Sequence, residues 1–474
     1  MKNLRQSKVV LSGLLAALGI VASGEKDASA CGGCFAPPES NSVVTDHRMI
    51  LSVSPQQTTL YDQIHYTGSP SSFAWVLPIA GTATVGLSAD VVFATLDGLT
   101  ESQVNQPPLN CPAPSGDCSK NSPSSSFGGA AGDSQDGGVS VTKSEVVGPY
   151  ETVQLHSTSG AALNDWLSSH GYAIPADVAP IITAYVNAHF DFLAMKLAPG
   201  NSVKSMRPVR ISTSGAAPVL PLRMVTAGTG AVVGITLWVV AEGRYEPQNF
   251  PSFHIGDSDL VWNWATSSSN FKQLRQDKEA ALGGKGWEVE SSTAQLASQF
   301  TQYVKQGGYY GGGGFRGAGP TTAAADDYAP ITDGNGVVTK TADQVRDEDM
   351  AALFAGIQTP EARFTRVRSD LAHAALGDDL VLQASQDQSV LSSVRNVTKE
   401  NGQPSCPVYD GCAQVGTMPR DQAVAATATN NSRHLESFAC STASRSVLPD
   451  GLTLFALSGF FGMALLRSRR RTQR

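Results

Sequence analysis

The sequence predicts an α+β, β-rich ectodomain with several packed helices, lying between a signal peptide and a short C-terminal transmembrane segment. The apolar fraction of 41% is large enough to form real cores. Only 16% of the residues are charged, and glycine (46 residues) and proline (26 residues) are abundant. That composition is typical of loop-rich, β-rich proteins outside the cytoplasm. Short apolar runs of strand length alternate with segments of helical periodicity, which favours α+β.

The first thirty residues have the pattern of a cleavable signal peptide. Three basic residues lie in the first eight positions, and an uncharged run follows from Val9 to Gly24. Ala28-Ser29-Ala30 has the small-x-small pattern that precedes a cleavage site, so Cys31 becomes the mature N-terminus. A lipoprotein with lipid on Cys31 and a buried N-terminal helix are the alternatives.

The C-terminal end, residues 447–474, has the pattern of a membrane-sorting tail. Residues 451–466 carry no charge, and a cluster of arginines follows directly. A helix of this length spans about 24 Å, against about 30 Å for the hydrocarbon core of a bilayer. The arginines favour the cytoplasmic side, which places the preceding chain outside. A permanent single-pass anchor is one interpretation.

This tail resembles the MYXO-CTERM class of C-terminal sorting signals. The likeness lies in Cys440, the small-residue spacer through Ser446, the apolar run and the terminal arginines. It implies cleavage by a sorting peptidase and surface anchoring, with Cys440 as the candidate attachment residue.

The charge distribution argues against nucleic acid as a partner. The chain carries −7 in all, its first 30 residues +2 and its last 34 residues +5, which leaves −14 on residues 31–440. An acidic body of this kind repels phosphate backbones and anionic lipid headgroups.

Six of the seven cysteines form three close pairs in the sequence. The candidates for disulfides are Cys31, Cys34, Cys111, Cys118, Cys406 and Cys412. In an oxidising compartment close pairs indicate local disulfides, although six cysteines allow 15 connectivities. Redox use or metal binding at Cys31-x-x-Cys34 is the alternative, but the glycines and prolines around it favour irregular structure.

Residues 31–306 are predicted as one β-rich exported domain with a flexible Pro/Ser/Gly insertion at about 107–140. Predicted strands are 49–53, 60–66, 73–78, 190–197 and the continuous apolar run 231–241. Predicted helices are 161–170, one opened by Pro180, 271–282 and 292–305.

Three further segments complete the predicted order. Residues 307–319 form a Gly-rich loop, and residues 320–386 are a helical continuation of the domain. Its first helix is opened by a capping box, Thr341-x-x-Gln344, and its second by Thr359-Pro360, which places Arg363, Arg366 and Arg368 on that helix. Residues 387–446 are predicted as a Ser/Thr-rich stalk.

The order of elements resembles a bacterial family known only as domain-of-unknown-function 2330. The matching segments are Ala30-Cys31-Gly32-Gly33, Phe73 to Pro78, Trp166-Leu167 with Gly171-Tyr172 and Pro175, Tyr185-Val186, Phe190 to Leu197, and Thr365 to Arg368. The resemblance covers about residues 31–385. It implies an exported bacterial protein and assigns no activity.

One set of residues is compatible with nucleophilic catalysis. Gly256-Asp257-Ser258-Asp259-Leu260 is similar to the nucleophile segment of GDSL-type esterases, and Asp370 and His373 follow in the matching chain order. A serine nucleophile needs a base that a carboxylate orients. The segment also has the composition of a plain turn, which we favour.

Other candidate ligand sites have equally plain explanations. Trp262 and Trp264 suit a carbohydrate platform or a core. Asp333-Gly334-Asn335-Gly336 suits a hairpin turn, and nothing near it completes a calcium loop. No histidine pattern predicts a metal site, and no motif predicts a cofactor.

These patterns favour a non-catalytic cell-envelope or surface protein, exported and anchored to the membrane or surface, with a structural or binding role. Its envelope ligand is not readable from the sequence. A GDSL-like envelope serine hydrolase using Ser258, Asp370 and His373 is the alternative, and a calcium- or carbohydrate-binding surface module is a further one.

Overall fold

A computed structural model describes residues 34–35, 44–63, 74–114, 144–172, 178–199, 206–226, 229–309, 328–332, 336–358 and 360–442. The predicted signal peptide, the C-terminal apolar run, Cys118, and most of the predicted insertion and Gly-rich loop lie outside these residues. The described chain divides into two compact units. One comprises Met1–Pro107 and Ser126–Gly402, and the other comprises Pro108–Ser125 and Gln403–Arg474.

The described residues form a mixed, strand-rich structure with eight α-helices, in agreement with the α+β prediction. The strands are β1 Cys34–Phe35, β2 Val44–Val53, β3 Gln57–Asp62, β4 Ala74–Ile79, β5 Ala83–Leu87, β6 Gln103–Asn105, β7 Ser144–Val147, β8 Tyr150–Leu155, β9 Asp191–Leu197, β10 Val209–Ser214, β11 Val219–Leu220, β12 Thr229–Ala241, β13 Tyr245–Pro247, β14 Ser252–Phe253, β15 Val261–Asn263, β16 Ser268–Ser269, β17 Trp287–Leu296, β18 Ile331–Thr332, β19 Val338–Lys340, β20 Glu361–Ala372, β21 Leu380–Ala384, β22 Val394–Asn396, β23 Lys399–Asn401, β24 Ser405–Asp410 and β25 Ala413–Pro419.

The helices are α1 Asp90–Thr100, α2 Gly160–Ser169, α3 Ala179–Asn187, α4 Leu222–Val225, α5 Phe271–Ala281, α6 Ala297–Lys305, α7 Ala342–Leu353 and α8 Arg420–Thr442. Two 3-10 helices are η1 Asp257–Asp259 and η2 His373–Gly377. None of the helices in the described residues is both long and apolar enough to cross a bilayer.

The first unit is built on an eight-stranded sheet with the order β14-β17-β20-β12-β2-β3-β10-β5. Its central strand β12 pairs in parallel with β2 and antiparallel with β20. β12 is apolar on both faces, and residues 233–241 are all buried, as the continuous run predicts for a central strand. The main hydrophobic core lies on this sheet.

A five-stranded sheet, with the order β1-β4-β9-β8-β7, belongs to the same unit. Helices α2 and α3 cover it, and the core beneath them includes Leu167, Ile182 and Tyr185. The side chain of Ser159 caps α2 by accepting a hydrogen bond from the backbone N–H of Ala162 at 3.3 Å.

The capping box predicted for α7 is confirmed. The Thr341 hydroxyl accepts from the backbone N–H of Gln344 at 3.1 Å, and the Gln344 side chain accepts from the backbone N–H of Thr341 at 2.8 Å. The predicted helices at 161–170, after Pro180 and at 271–282 are also present, as α2, α3 and α5.

One helix prediction is wrong and another is correct only in its second part. The segment after Pro360 is the strand β20. Of the helix predicted at 292–305, residues 297–305 are the helix α6, whereas residues 292–296 belong to the strand β17. Arg366 and Arg368 therefore lie two apart on one face of a strand. Asp97 of α1 and Glu290 of β17 neutralise Arg366, and Asp370 of β20 pairs with Arg368. Tertiary pairing of charges outweighs the local start signal of Thr359-Pro360.

The second unit contains the hairpin of β24 and β25 and the helix α8. Its small core is formed by Cys406, Val408 and Ala423. Cys111 is joined to Cys406 by a disulfide across a sequence separation of 295 residues. The predicted local pairs Cys111–Cys118 and Cys406–Cys412 are therefore wrong, and Cys412 is disulfide-bonded as well.

The range predicted as a stalk, residues 387–446, contains regular elements in its described part. These are β22, β23, β24, β25 and α8. Cys440, the candidate attachment residue, is one of the residues of helix α8. The disulfide between Cys111 and Cys406 joins two segments that are distant in sequence in one small core. The Ser/Thr-rich composition does not predict this core.

Candidate functional site

One face of the eight-stranded sheet carries charges where an apolar core is the usual filling. Arg48 on β2 lies opposite Thr236 on β12, Thr236 opposite Arg368 on β20, and Arg368 opposite Glu288 on β17. These side chains form one row across four strands, since directly opposed residues point to the same face. We call this row and its neighbours under α1 and α5 the charged layer.

Arg366 lies at the centre of the charged layer and is 4% exposed. Its Nη1 donates to Asp97 Oδ1 at 2.5 Å, and its Nε forms an ion pair with Glu290. Burial opposes the charge of Arg366, but Glu290 and Asp97 outweigh burial and raise the pKa of the guanidinium above its usual value. Arg366 is therefore charged and neutralised from two elements.

Asp97 on α1 is shared by two arginines. Its second carboxylate oxygen pairs with Arg48. The guanidinium carbons of Arg48 and Arg366 lie 5.3 Å and 5.1 Å from the ring centroid of Trp238. The two cations and the indole thus form a cation–π arrangement that Asp97 closes from the helix side.

Hydrogen bonds of the backbone and of hydroxyls fix α1 on this layer. Trp238 Nε1 donates to the Thr100 hydroxyl at 2.8 Å. The Ser291 hydroxyl donates to the carbonyl oxygen of Thr100 at 2.7 Å. Both hydrogen bonds are accepted by Thr100, in the last turn of α1, so this residue bonds the end of the helix to β12 and to β17.

Helix α5 supplies the other cover of the charged layer. Arg275 Nε donates to Glu288 Oε2 at 2.5 Å, and Arg275 Nη2 pairs with Glu290. Glu288 is 0% exposed and Glu290 is 2% exposed. Burial raises the pKa of Glu288, while the neighbouring Arg275 acts in the opposite direction.

Arg395 on β22 contacts the same layer. Its Nε donates to the carbonyl oxygen of Ile255 at 2.9 Å, and its Nη2 donates to the carbonyl oxygen of Glu290 at 2.5 Å. Burial lowers the pKa of Arg395, against the attraction of Glu288. The backbone of β17 is thereby bonded to a residue more than one hundred positions away.

The chemistry of the charged layer is that of ion pairing. Each guanidinium in it meets carboxylates or carbonyl oxygens, and no serine, cysteine or histidine hydrogen-bonds to these carboxylates within the described residues. No group of three or more His, Cys, Asp or Glu side chains suited to a metal ion occurs in the described part of the chain. The layer positions α1 and α5 on the sheet.

A protein-family match includes most of the residues of the charged layer. The family described as "Uncharacterized protein conserved in bacteria (DUF2330)" matches residues 25–306, which is more than half of the chain. The chain belongs to this family. The resemblance read from the sequence is thus confirmed, and the matched range includes Arg48, Asp97, Arg275, Glu288 and Glu290 and ends before β20.

Two further comparisons add no activity to this DUF2330 protein. No curated protein matches the chain. Among solved structures, the chain is similar to the crystal structure of baculovirus P35 at 10% sequence identity, covering 74% of this chain and 96% of that one, with a TM-score of 0.26. A score this low supports no inference about fold or function.

The candidate triad residues of the DUF2330 protein do not contact one another. Ser258 is exposed on η1, and its carbonyl oxygen accepts from Lys399 Nζ at 2.6 Å. Asp370 on β20 forms an ion pair with Arg368 at 3.6 Å, and His373 is exposed at the start of η2. Within the described residues no hydrogen bond or ion pair joins any two of Ser258, Asp370 and His373, so the serine hydrolase stays an alternative.

The two candidate tryptophans differ in their surroundings. Trp262 is 9% exposed and packs with Ile255, Leu260 and Val397 in a small core. Trp264 is partly buried, and its ring centroid lies 6.0 Å from that of Trp262 in an edge-to-face arrangement. The Nε1 of Trp264 donates to the carboxylate of Glu400 at 2.8 Å. Asp333 and its two successors lie outside the described residues, between the paired strands β18 and β19.

Sequence reasoning missed every carboxylate of the charged layer. The available signal was the alternation of Glu288 and Glu290 in Trp287-Glu-Val-Glu and of Arg366 and Arg368 in Thr365-Arg-Val-Arg. Each pair has the period of two that places charges on one face of a strand. From the sequence alone, charges on one face of a strand are expected to face solvent, because the element that packs on that face is not known.

A buried histidine neighbours this layer in sequence. His47 is 0% exposed, and neither of its ring nitrogens has a hydrogen-bond partner among the described residues. Burial lowers the pKa of His47 from 6.5 to about 3. The native state therefore keeps His47 neutral in acid, whereas the unfolded chain binds the proton.

We expect His47 to make the protein acid-labile, and His47→Leu to remove that sensitivity. Stability is lost as the pH falls from 6.5 towards 3, because only the unfolded state gains the proton. Between pH 7.0 and pH 4.5 the free energy of unfolding should fall by roughly 2–3 kcal/mol less in the variant than in the wild type. Urea unfolding at the two pH values measures this. The exposed His373→Leu serves as control, and an unchanged loss in His47→Leu would show the assignment to be wrong.

Proposed function

We propose that this DUF2330 protein is an exported cell-envelope protein that is anchored at the membrane or cell surface by its C-terminal segment. Its body acts in surface structure or binding, not in catalysis. The observation that supports this most directly is the disulfide between Cys111 and Cys406. Disulfides form and persist in oxidising compartments outside the cytoplasm and are rare within it.

The two ends of the chain support the same location. The basic start, apolar run and Ala28-Ser29-Ala30 suit a signal peptide, and the uncharged residues 451–466 with their arginines suit a membrane segment. The membrane and a sorting peptidase acting near Cys440 are the partners of this tail. The charge of −14 on residues 31–440 supports an envelope ligand over nucleic acid.

The contacts of the candidate catalytic residues support a non-catalytic body. Asp370 is paired with Arg368 and Ser258 lies exposed on a short 3-10 helix, so neither contacts a base among the described residues. General-base activation requires such a contact at about 2.6–3.2 Å, directly or through one water. The carboxylates of the charged layer are likewise committed to arginines.

Export is tested with alkaline phosphatase, which is active only outside the cytoplasm, fused after Gly402. We expect activity when residues 1–402 precede the phosphatase and none when residues 1–30 are deleted from that fusion. Mass spectrometry of the unfused protein from cells should give a start at Cys31 and a disulfide-linked peptide pair containing Cys111 and Cys406. An intact leader together with reduced Cys111 and Cys406 would contradict the proposal.

The hydrolase alternative is tested by labelling the purified protein with a fluorophosphonate, which reacts with activated serines. We expect no labelling above that of Ser258→Ala, because Ser258 has no base in contact. Ser269→Ala, at a partly buried serine of β16, is the control. Labelling of the wild type and of Ser269→Ala, lost only in Ser258→Ala, would favour the hydrolase.

A further inference from the structure

Helix α5 covers the sheet with polar contacts in place of an apolar stripe. Glu279 is its only buried residue, and Phe271 and Leu274 are partly buried against the small core of Ile255 and Leu260. A covering helix normally buries an apolar face of three to four residues in two turns. Docking of α5 therefore depends on charge to an unusual degree.

Three charged side chains of α5 make the contacts. Arg275 pairs with Glu288 and Glu290, and Lys278 lies 3.8 Å from Asp259 of η1. Glu279 Oε1 accepts a hydrogen bond from the backbone N–H of Asp370 at 3.2 Å. Only the last contact links α5 to β20 at the C-terminal end of the helix.

Glu279 is placed where a negative charge is unfavourable. It is 4% exposed, and it lies in the last turn of α5, where the helix carbonyls point outward and repel anions. The carboxylate of Asp370 is its neighbour on β20. The nearby cations, Arg275 and Arg368, are engaged by Glu288, Glu290 and Asp370.

Burial first, and then the charge of Asp370, raise the pKa of Glu279 to about 7, while the hydrogen bond from the Asp370 backbone N–H, Arg275 and Arg368 act in the opposite direction. The charged groups on the elements around α5 are Asp370 and Arg368 of β20, Glu288 and Glu290 of β17, Asp259 of η1, and Arg395 and His254 near β14. None of these forms an ion pair with Glu279 within the described residues.

The chain after α5 is suited to movement of the helix end. Gly283 and Gly284 have φ values of +68° and +69°, a conformation that glycine adopts without strain. The N–H of Gly284 donates to the carbonyl oxygen of Glu279, and its carbonyl oxygen accepts from the N–H of Ala372. The turn therefore bonds both to the helix end and to the end of β20.

We propose that α5 is a pH-dependent latch: it is docked while Glu279 is protonated, and ionisation of Glu279 releases its C-terminal half from β20 about the Gly283-Gly284 turn. Release loosens the cover that α5 forms over the carboxylates of Glu288 and Glu290. The protein would then present a charged surface at neutral to alkaline pH that it buries in mild acid.

The direction of the pH dependence of docking follows from the pKa of Glu279 in the docked and released states. The released helix exposes the carboxyl, which ionises near its ordinary value of 4.5, whereas the docked carboxyl ionises near 7. Docking is therefore strongest below pH 4.5 and weakens as the pH rises to about 7. The full change in the docking equilibrium is on the order of 100-fold.

Hydrogen exchange with mass spectrometry tests the latch on the intact protein between pH 5 and pH 8, read as protection factors so that intrinsic exchange is removed. We expect the protection of amides 276–284 to fall roughly tenfold or more with rising pH, with little change in β12. Glu279→Gln should abolish this dependence, because the neutral amide cannot ionise. Asp277→Asn removes an exposed carboxylate from the same helix and should behave like the wild type.

A second variant keeps the test informative if Glu279→Gln is poorly folded. Asp370→Asn retains the backbone N–H that bonds Glu279 and removes the neighbouring charge, which lowers the pKa of docked Glu279. The loss of protection between pH 5 and pH 8 should therefore be smaller than in the wild type. Wild-type protection that is independent of pH in α5 would overturn the proposal. So would a pH dependence that persists unchanged in folded Glu279→Gln, or one of undiminished size in Asp370→Asn.

Discussion

The ion pairs of Arg366 with Asp97 and Glu290 are the constraint on which the first unit depends. They join α1, β17 and β20, three elements that are distant in sequence, above the indole of Trp238. Breaking such a buried pair by removing one partner costs about 3–5 kcal/mol, because the remaining charge is stranded. This charge matching positions α1 together with its apolar face, which includes Phe93 and Leu96.

Burial of one titratable side chain on each side of the central sheet makes its two faces respond differently to pH. His47 and Arg48 are adjacent on β2, so their side chains point to opposite faces. His47 is neutral in the native state and opposes folding in acid, whereas Glu279, on the cover of the charged layer, is protonated in mild acid and opposes docking at higher pH. The two effects together favour a stability maximum at mildly acidic to neutral pH.

The sequence predicts the elements whose signals are local. The apolar run of β12, the capping box of α7 and the caps and periodicities of α2, α3 and α5 all occur as predicted. The local pattern predicts a helix in place of β20 because the start of β20 resembles a helix N-terminus and because the carboxylates that neutralise Arg366 lie on β17 and α1. The Cys111–Cys406 bond was missed for the same reason, since its partners are 295 residues apart.

The proposed role as an exported binding or structural protein is compatible with a body in which buried charges position elements and in which Ser258, Asp370 and His373 do not contact one another. Membership of the DUF2330 family is established for residues 25–306 and carries no activity with it. In such a role, the proposed α5 latch would let the protein respond to pH.

A double-mutant cycle on Asp97 and Arg366 tests the central claim most directly. The free energies of unfolding of Asp97→Asn, Arg366→Met and the double variant are compared with that of the wild type, with the exposed pair Lys340 and Glu348, 2.7 Å apart, as control. The account predicts a coupling energy of about 1 kcal/mol or more for the buried pair, against about 0.5 kcal/mol or less for the exposed one. Additivity of the two buried substitutions, within about 0.3–0.5 kcal/mol, would contradict it.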